Sequence, residues 1–479
     1  MHWRVVLATD AQGRCALLAD RAEERPLKER VEALLRGPAR WLRCESAEID
    51  ELLGEGSAEF RALAQFGDGF GPVADAAVTD ELSPLRIARE PHPVVRLLDS
   101  TLYDALQDAV SDIHFETRVR GLAIRYRIDG VMVDVRQVDG TAVAEQLVSR
   151  LKVMAELDIG ERRLPQDGRF KLRCAAREID FRLSVMPSVF GEDAVVRVLD
   201  RAQIEQSHGQ LSLEALGFDP DIREAVRALA RLPHGMLLVT GPTGSGKTTT
   251  LYAAISEIND GRDKIVTIED PVEYQLPGVV QIPVNDKKGL SFARGLRSIL
   301  RHDPDRVMVG EIRDTETAQI AIQAALTGHL VFSTVHANTA FDVLGRFMHM
   351  GLDLYNVVSA LNGVLAQRLM RVNCAHCRTS FMPPRERLDR YTLGPVHACA
   401  RGMGCGHCRG TGYRGRRAVA ELLLLDDELR DLIAARSPMG RIKAAARDRG
   451  LRRLRDAALD MVVRGETTFE ELDRVTLAD

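Results

Sequence analysis

Apolar and polar positions follow two different spacings between residues 91 and 205. Beyond Pro93 the apolar residues recur every three or four positions, which predicts a helix with one buried face; they are Val94, Leu97, Leu98, Leu102, Ala105, Leu106, Ala109 and Val110. Over residues 122–129 and 179–185 the spacing falls to two, which is typical of half-buried strands. The sequence therefore predicts an α+β domain at residues 91–205, in which a helix packs on a sheet.

Short apolar runs separated by helical stretches characterise the next part of the chain. The runs are Met236–Val239, Ile265–Ile268, Val307–Val309 and Leu330–Val335. Strands that are apolar on both faces are typical of a parallel sheet covered by helices on both sides. We therefore expect an α/β core at residues 206–370, with any ligand bound at the carboxyl ends of its strands.

The remaining segments differ from these two domains in composition. Residues 1–75 mix short apolar runs with acidic stretches and predict a small N-terminal domain, followed by a linker at 76–90. Residues 371–415 contain five cysteines, four of them in two close pairs. Residues 416–479 are expected to form a C-terminal helical region.

The composition narrows the class of protein. The chain has 479 residues, of which 45% are hydrophobic and 28% are charged, so we expect a globular protein of about three domains. Its formal net charge of −4 provides no global positive field for a phosphate backbone, which disfavours a nucleic-acid-wrapping protein. No stretch approaches the roughly 18 apolar residues of a membrane helix, and the start lacks a signal-peptide core, so a cytosolic location is expected.

A glycine-rich motif follows the first apolar run of the core. It fits the pattern G-x-x-x-x-G-K-[ST], and its position between a strand and a helix is the context that gives this pattern meaning. The glycines let backbone N–H groups close around phosphate oxygens, Lys247 would reach the β- and γ-phosphates, and Thr248 would bind Mg²⁺. The sequence thus predicts a site for ATP and Mg²⁺ at Gly241, Pro242, Thr243, Gly244, Ser245, Gly246, Lys247, Thr248 and Thr249.

Three further polar clusters accompany apolar strands of the same core. They are Glu269, Asp270 and Glu273 after the second run, Glu311 after the third, and His329 and His336 at the two ends of the fourth. Because the carboxyl ends of parallel strands share one edge of a sheet, we expect these clusters to meet the glycine-rich motif there. At that edge Glu311 could orient a water molecule or hold Mg²⁺ through water.

Four cysteines form two C-x-x-C pairs, Cys374 with Cys377 and Cys405 with Cys408. Two such turns can supply four thiolates to one tetrahedral Zn²⁺, which predicts a closed, structural metal site. A pair of unrelated buried thiols is the alternative. A mixed ligand set also stays open, and it would include His376, His407 or Cys399.

These motifs, in this order, resemble those of the secretion traffic ATPases, the family that powers type II secretion, type IV pilus assembly and pilus retraction. The resemblance runs from about residue 90 to the C-terminus and includes Ser111–Thr117, Arg125–Gly130 and Leu164–Arg169 of the middle domain. It implies an α/β fold with a RecA-like P-loop ATPase domain, a preceding PAS-like α+β domain, a small N-terminal domain and a C-terminal zinc-binding insertion.

The resemblance also implies roles for single residues. Glu311 is similar to the family's catalytic Walker B glutamate, and Glu273 is similar to its essential Asp-box acid. His336 and His329 resemble the His-box pair that senses the bound nucleotide. Gly310 stands where most P-loop proteins carry an aspartate, which is typical of this family.

Two arginines of the middle domain are candidates for contact with the γ-phosphate. The family's middle domain supplies such arginines, and Arg182 and Arg197 are the best matches. Arg197 also has a physical argument, because the apolar stretch Val195–Leu199 would bury its charge unless an anion paired with it. Arg182 lies on the polar side of an alternating strand, so a solvated charge is an equal alternative.

The resemblance finally implies an assembly and a location. It implies a homo-hexamer, peripheral at the cytosolic face of a bacterial inner membrane, whose N-terminal domain contacts inner-membrane platform and docking proteins. The cysteine module favours an assembly ATPase over a retraction ATPase, and Ser111–Thr117 with Phe292–Arg301 favours type II secretion over pilus extension, which stays the alternative.

Two other classes of protein compete with this interpretation. A nucleic-acid motor is disfavoured by the net charge and by an aromatic content of 5%, since base stacking uses aromatic side chains. A scaffold that binds ATP without turnover is disfavoured by Glu311.

Overall fold

The computed structural model describes residues 5–9, 15–19, 40–43, 81–174, 177–199, 211–391 and 398–476. The chain forms two compact units: the first covers residues 1–198 apart from the turn 129–131, and the second contains that turn and residues 199–479. No helix in the described ranges combines the length and the hydropathy of a bilayer-spanning segment. Most of the predicted N-terminal domain lies outside these ranges.

Three short strands of the first unit form a small sheet. They are β1 (Val5–Thr9), β2 (Cys15–Ala19) and β3 (Trp41–Arg43). β1 pairs antiparallel with β2, and β2 pairs parallel with β3. The described part of residues 1–75 is therefore a β-structure in which β2 is the central strand.

A seven-stranded sheet forms the larger part of the first unit. Its strands are β4 (Glu81–Leu82), β5 (Asp112–Arg118), β6 (Gly121–Ile128), β7 (Val131–Asp139), β8 (Gln166–Cys174), β9 (Arg177–Ser188) and β10 (Gly191–Leu199). They lie in the order β4-β8-β9-β10-β5-β6-β7. The helices of this unit are α1 (Pro84–Arg89), α2 (Pro93–Gln107) and α3 (Thr141–Met154).

Helix α2 and strands β6 and β9 confirm the two spacings seen in the sequence. Leu97, Leu98 and Leu102 of α2 are fully buried and share one core with Phe115 and Phe181 of the sheet. Along β9, buried residues alternate with more exposed ones. One face of this sheet therefore packs on the helices, and the other face is polar.

The predicted linker at residues 76–90 is only partly a linker. Residues 81–90 contain β4 and α1, and Leu82 and Ile87 are buried in the core of the first unit. The α+β domain thus begins before the predicted boundary at residue 91. Its first strand escaped prediction because two residues are too short to show a period.

A second seven-stranded sheet forms the centre of the second unit. Its strands are β11 (Gly235–Thr240), β12 (Ile265–Glu269), β13 (Val280–Pro283), β14 (Arg306–Val309), β15 (Leu330–Val335), β16 (Leu361–Asn373) and β19 (Tyr413–Leu424). They lie in the order β13-β12-β14-β15-β11-β16-β19. Neighbouring strands are parallel except β16 and β19. All four predicted apolar runs are strands of this sheet.

Helices cover both faces of the second sheet, as the apolar strands predicted. The helices around it are α4 (Pro220–Ala230), α5 (Lys247–Ile258), α6 (Phe292–Ile299), α7 (Thr315–Leu326), α8 (Ala340–His349), α9 (Leu354–Ala360), α11 (Asp427–Ala434), α12 (Met439–Asp448), α13 (Leu454–Val463) and α14 (Phe469–Val475), with α10 (Arg385–Arg390) near the cysteines. Met236 and Leu238 of β11 face one hydrophobic core, and Leu237 and Val239 face another.

The second sheet extends beyond the predicted boundary at residue 370. Strand β16 runs to Asn373, and β19 returns antiparallel beside it up to Leu424. The cysteine-containing segment lies between these two strands and contains the antiparallel pair β17 (Arg378–Phe381) and β18 (Cys399–Gly402). The module is thus an insertion between two strands of the core sheet.

Candidate functional site

The glycine-rich motif forms a tight loop between β11 and α5. Gly244 and Gly246 have φ angles of +78° and +83°, which L side chains rarely adopt. A Cβ atom added to Gly241 would lie 2.6 Å from Gln367 O and from Ser245 Oγ, whereas one added to Gly244 would meet nothing within 4 Å. The loop is therefore packed on its inner side and open on its outer side.

The donors of this loop suit a phosphate group. Gly246 caps α5 without any side-chain hydrogen bond, so the N–H groups of the first turn have no side-chain cap. The hydroxyl of Ser245 is buried and has no hydrogen-bond partner in the described part of the chain. A helix N-terminus with free N–H groups attracts anions. The free N–H groups and the buried hydroxyl are therefore suitable hydrogen-bond donors to a polyphosphate.

The side chain of Lys247 lies against the glycine-rich loop. Its Nζ donates hydrogen bonds to Gly241 O at 2.9 Å and to Pro242 O at 3.2 Å. Burial lowers the pKa of Lys247, and the nearby carboxylate of Glu311 opposes this shift without cancelling it. A half-buried ammonium group gains from an anionic partner. Thr248 and Thr249 follow in the same turn.

Glu311 follows the carboxyl end of β14, two strands from the loop in the sheet. The preceding Gly310 donates its N–H to Ile268 O at 2.8 Å, and a Cβ atom there would lie 3.2 Å from that oxygen and 3.3 Å from Glu269 Cα. Glycine at this position thus allows β12 and β14 to approach closely. Arg313 donates a hydrogen bond to the Glu311 carboxylate.

His336 completes the cluster from the end of β15. Its Nε2 lies 3.5 Å from Glu311 Oε2. Burial and the Lys247 ammonium lower the pKa of His336, while Glu311 opposes them. The imidazole is therefore neutral at neutral pH, and it can accept or donate one hydrogen bond. Lys247, Glu311 and His336 meet at one edge of the sheet, as the sequence predicted.

The predicted Asp-box residues lie at and after the end of β12, and they differ in exposure. Asp270 is exposed, and its Oδ2 lies 3.5 Å from Arg313 Nη1. Glu273 is half-buried and follows three residues later. Glu269 is only 2% exposed, and its carboxylate is hydrogen-bonded inside the unit. Asp270 and Glu273 therefore remain candidates for contact with nucleotide or Mg²⁺.

His329 lies at the opposite edge of the sheet from this cluster. It precedes β15, its carbonyl accepts the N–H of Gly235 at the start of β11, and its Nδ1 lies 3.1 Å from Ala324 O. Six strand residues separate it from His336, which corresponds to about 20 Å. The expected convergence of His329 with the other groups is not found within this chain, because a strand carries its two ends to opposite edges.

Sequence reasoning missed a contribution from β16. Gln367 Nε2 donates a hydrogen bond to Ser245 O at 2.6 Å, so β16 supports the glycine-rich loop from behind. Arg368 donates to Asn338 O at 3.0 Å, two residues beyond His336. The motif patterns concern consecutive residues, and nothing in them indicates a strand more than a hundred positions away.

Arg182 and Arg197 lie in the first unit, on the face of its sheet away from the helices. The side chain of Arg197 is 52% exposed, and its Nε donates to Asp112 Oδ1 at 2.8 Å. From the sequence, Arg197 was expected to need an anion if its apolar strand buried the charge. Strand β10 leaves this side chain half exposed, and Asp112 supplies an anion. Arg182 is half-buried and stands opposite Arg169 of β8. Their contact with the γ-phosphate stays a prediction.

The four cysteines converge on one point. Their Sγ atoms all lie within 4.8 Å of one another, with separations of 3.9 Å for Cys374 and Cys405 and 3.7 Å for Cys377 and Cys408. A tetrahedral zinc with Zn–S bonds of about 2.3 Å would place its sulfurs about 3.8 Å apart. The thiol geometry therefore fits Zn²⁺.

Backbone donors around Cys408 favour a thiolate. The N–H groups of Cys405 and Gly412 donate to Cys408 Sγ at 3.1 and 3.3 Å. Burial raises the pKa of this thiol, but these N–H groups and the neighbouring thiols of Cys377 and Cys405 outweigh burial and lower the pKa to about 7. His376 and His407 are exposed and stack on each other, and they do not join the cluster. The same holds for Cys399 in β18.

Fold and site together define a P-loop ATPase, and comparisons with known proteins agree. The family described as "Type II/IV secretion system protein" matches residues 88–474. Type II secretion system protein E of Aeromonas hydrophila is 46% identical over 441 residues, which are 91% of this chain and 87% of that protein. Type II secretion system ATPase E of Vibrio cholerae serotype O1 is 46% identical over 391 residues, 80% of this chain and 75% of that protein.

A solved structure supports the same assignment. The pilus retraction motor PilT with bound ADP matches with a TM-score of 0.52 at 25% identity, over 79% of this chain and 96% of that chain. The chain belongs to the type II/IV secretion system protein family. The predicted family and the predicted class of P-loop ATPase are therefore confirmed.

Proposed function

We propose that the chain is the ATP-hydrolysing motor of a type II secretion system, which drives assembly of a pseudopilus for protein export across the outer membrane. One observation carries this proposal: the 46% identity over 91% of the chain to a type II secretion system protein E. The convergence of Lys247, Glu311 and His336 supports it, because these groups suit ATP hydrolysis.

The glycine-rich loop and α5 would bind the substrate. Their N–H groups and the Lys247 ammonium would hold the triphosphate, and the Thr248 hydroxyl would ligate Mg²⁺. Mg²⁺, when bound, supplies positive charge that offsets the charge on the phosphates. Gln367 would keep the loop in shape through its bond to Ser245 O.

Glu311 and its neighbours would carry out the chemical step. Glu311 would orient the attacking water and accept its proton. His336, neutral and 3.5 Å from Glu311 Oε2, would hydrogen-bond to the γ-phosphate or to that carboxylate and so respond to the nucleotide. Glu273 and Asp270 would complete the acidic side of the site, with Arg182 and Arg197 stabilising charge on the γ-phosphate.

The cysteine cluster would hold one structural Zn²⁺. Four thiolates close the coordination shell, so this metal would fix the fold of residues 371–415 and would not act in hydrolysis. The bonds from Cys405 and Gly412 to Cys408 Sγ support the proposal, because they stabilise the thiolate that binds metal.

The proposed assembly follows from the family resemblance. The chain would form a homo-hexamer at the cytosolic face of the inner membrane, with a RecA-like core and a PAS-like middle domain. Its N-terminal domain would contact the inner-membrane platform and docking proteins. Extension of a type IV pilus is the alternative work product.

The proposal is tested by restoring secretion in a bacterium that lacks its own type II secretion ATPase. We expect the chain to restore export of a secreted enzyme, and Glu311→Gln to bind ATP normally but to hydrolyse it at least about a hundredfold more slowly, the effect of removing a general base. The matched control is Glu316→Gln, an exposed glutamate of α7. Restored pilus extension without restored export would overturn the proposal in favour of the alternative.

A further inference from the structure

The buried carboxylate of Glu269 is held by three donors from three different elements. Tyr252 of α5 donates its hydroxyl to Oε2. Thr267 Oγ1 donates to Oε1 at 2.5 Å, and Gln281 Nε2 of β13 donates to the same oxygen at 3.1 Å. A buried carboxylate with such partners is a fixed structural anchor. Glu269 is thus anchored within the unit, in contrast to the nucleotide contact expected from the sequence.

Tyr252 connects this anchor to the loop that follows it. Its hydroxyl donates to Glu269 and also accepts the backbone N–H of Glu273 at 3.4 Å. The side chain is fully buried. Burial, and next the Glu269 carboxylate, raise the pKa of Tyr252, so the phenol keeps its proton and remains the donor. The Tyr252 hydroxyl therefore forms hydrogen bonds with both ends of the segment from Glu269 to Glu273.

The same tyrosine belongs to the helix that would bind the phosphates. Tyr252 follows Lys247 by five residues within α5. The side chain of Tyr252 thus connects α5 to the segment from Glu269 to Glu273. A shift of about 1 Å in a reacting group can change a rate a hundredfold. A side chain that fixes the position of a reacting group can therefore change the rate without touching the substrate.

We propose that Tyr252 and Glu269 are positioning residues, which set Glu273 relative to the phosphates bound at the N-terminus of α5. This inference rests on the proposed function, because it requires that Glu273 acts in hydrolysis. Tyr252 would act on turnover through Glu273 and would leave nucleotide binding by the loop unchanged.

Tyr274 provides a matched control for Tyr252. Its ring contacts the Tyr252 ring edge-on, with centroids 4.4 Å apart. Its hydroxyl is buried and has no hydrogen-bond partner among the described residues. Tyr274→Phe therefore removes the same atom from the same cluster without breaking a hydrogen bond, whereas Tyr252→Phe breaks two.

The first experiment compares these two variants in the full-length chain. We expect Tyr252→Phe to lower kcat about tenfold or more, with the Kd values for ADP and for a non-hydrolysable ATP analogue within about twofold of the parent chain. Tyr274→Phe should change neither. Thr267→Val removes another donor to Glu269 and should also lower kcat. This variant provides the test if Tyr252→Phe does not fold. Equal kcat in parent, Tyr252→Phe and Thr267→Val would overturn the inference.

A double-mutant cycle separates this inference from the proposed function. If Tyr252 acts through Glu273, Tyr252→Phe should slow the parent chain but should not slow Glu273→Gln further. Two independent, multiplying losses would show that Tyr252 acts by another route. If Glu273→Gln turns over normally, the proposed role of Glu273 fails. If Glu273→Gln is slow and Tyr252→Phe is normal, only the positioning role fails.

Discussion

Lys247, Glu311 and His336 show how single charges at the candidate site depend on one another. Burial lowers the pKa of both basic groups, and the Glu311 carboxylate opposes this effect in both. The Lys247 ammonium in turn lowers the pKa of His336. The Glu311 carboxylate therefore influences the pKa values of both basic groups.

Replacing Lys247 tests the phosphate-binding loop. We expect Lys247→Ala to weaken ATP binding at least about tenfold, because a hydrogen bond from a charged donor contributes about 1.5–3 kcal/mol. Titration calorimetry with a non-hydrolysable ATP analogue measures the affinity. Lys287→Ala, at an exposed lysine of the same unit, should bind as the parent chain does. Equal affinity in Lys247→Ala would remove this residue from the site.

Asp99 in α2 predicts a pH dependence of stability. Burial raises its pKa to about 6 from 3.8, although Arg86 opposes the change. Since the raised pKa belongs to the folded state, that state binds more protons than the unfolded chain between about pH 4 and pH 6, and stability falls as the pH rises through this window. Two pKa units correspond to about 3 kcal/mol at most.

Asp99→Asn should remove this dependence. We expect the variant to melt at a higher temperature than the parent chain at pH 8 and to lose that advantage near pH 4, as calorimetry can show. Asp134→Asn, at an exposed acid of the same unit, is the control. A variant that is less stable at pH 8 would show that Asp99 is stabilised by partners in its charged form.

At the residue scale, the sequence predicted which residues meet at the candidate site better than it predicted the burial and the partners of each side chain. Glu311 and His336 were predicted at the same edge as Lys247, because each follows an apolar strand of a parallel sheet. Arg197 was expected to need an anion because its strand is otherwise apolar. The structure shows Asp112 as an anionic partner and a half-exposed side chain, since residue types alone do not tell which face of a strand is covered. Glu269 was expected at the nucleotide, and its burial depends on donors from α5 and β13.

At the scale of elements, the sequence predicted the mainly apolar strands but not the strands that contain many charged and polar residues. The four apolar runs are β11, β12, β14 and β15, whose burial on both faces favours apolar residues. Strand β16 contains Gln367, Arg368 and Arg371, and its partner β19 begins with several arginines. Those strands include edge and loop-supporting positions, so their composition resembles that of a surface segment. The support of the glycine-rich loop by Gln367 could therefore not be predicted.

The cysteine module predicts an effect confined to one element. Cys374→Ser should leave three thiolates, and we expect loss of the one zinc per chain together with faster hydrogen exchange at residues 371–415, because thiolate-bound zinc contributes to the folding of small modules. Metal analysis and exchange mass spectrometry measure the two effects. Cys399→Ser makes the same change at a buried cysteine outside the cluster and should keep the zinc. A chain purified without chelator that contains no zinc would refute the metal site.

At the scale of the whole molecule, the proposed motor must couple its nucleotide to both units. The side chains that meet around the glycine-rich loop, Lys247, Glu311 and His336, belong to the second unit, whereas Arg182 and Arg197 belong to the first. A γ-phosphate contact from those arginines would exist with ATP and not with ADP. Such a difference in contacts is what allows a ligand to shift a conformational equilibrium.

Replacing these arginines tests the coupling. We expect Arg182→Ala and Arg197→Ala each to slow turnover about a hundredfold, because a charge-stabilising donor acts on the transition state, and to leave ADP affinity nearly unchanged. Small-angle scattering should show a difference between the ADP and ATP-analogue states in the parent chain and none in the variants. Arg118→Ala, at an exposed arginine of the same unit paired with Glu116, should behave as the parent chain does. If ADP and ATP affinities fall together, or the nucleotide-dependent difference survives in both variants, the two arginines are structural charges and the coupling must pass through other residues.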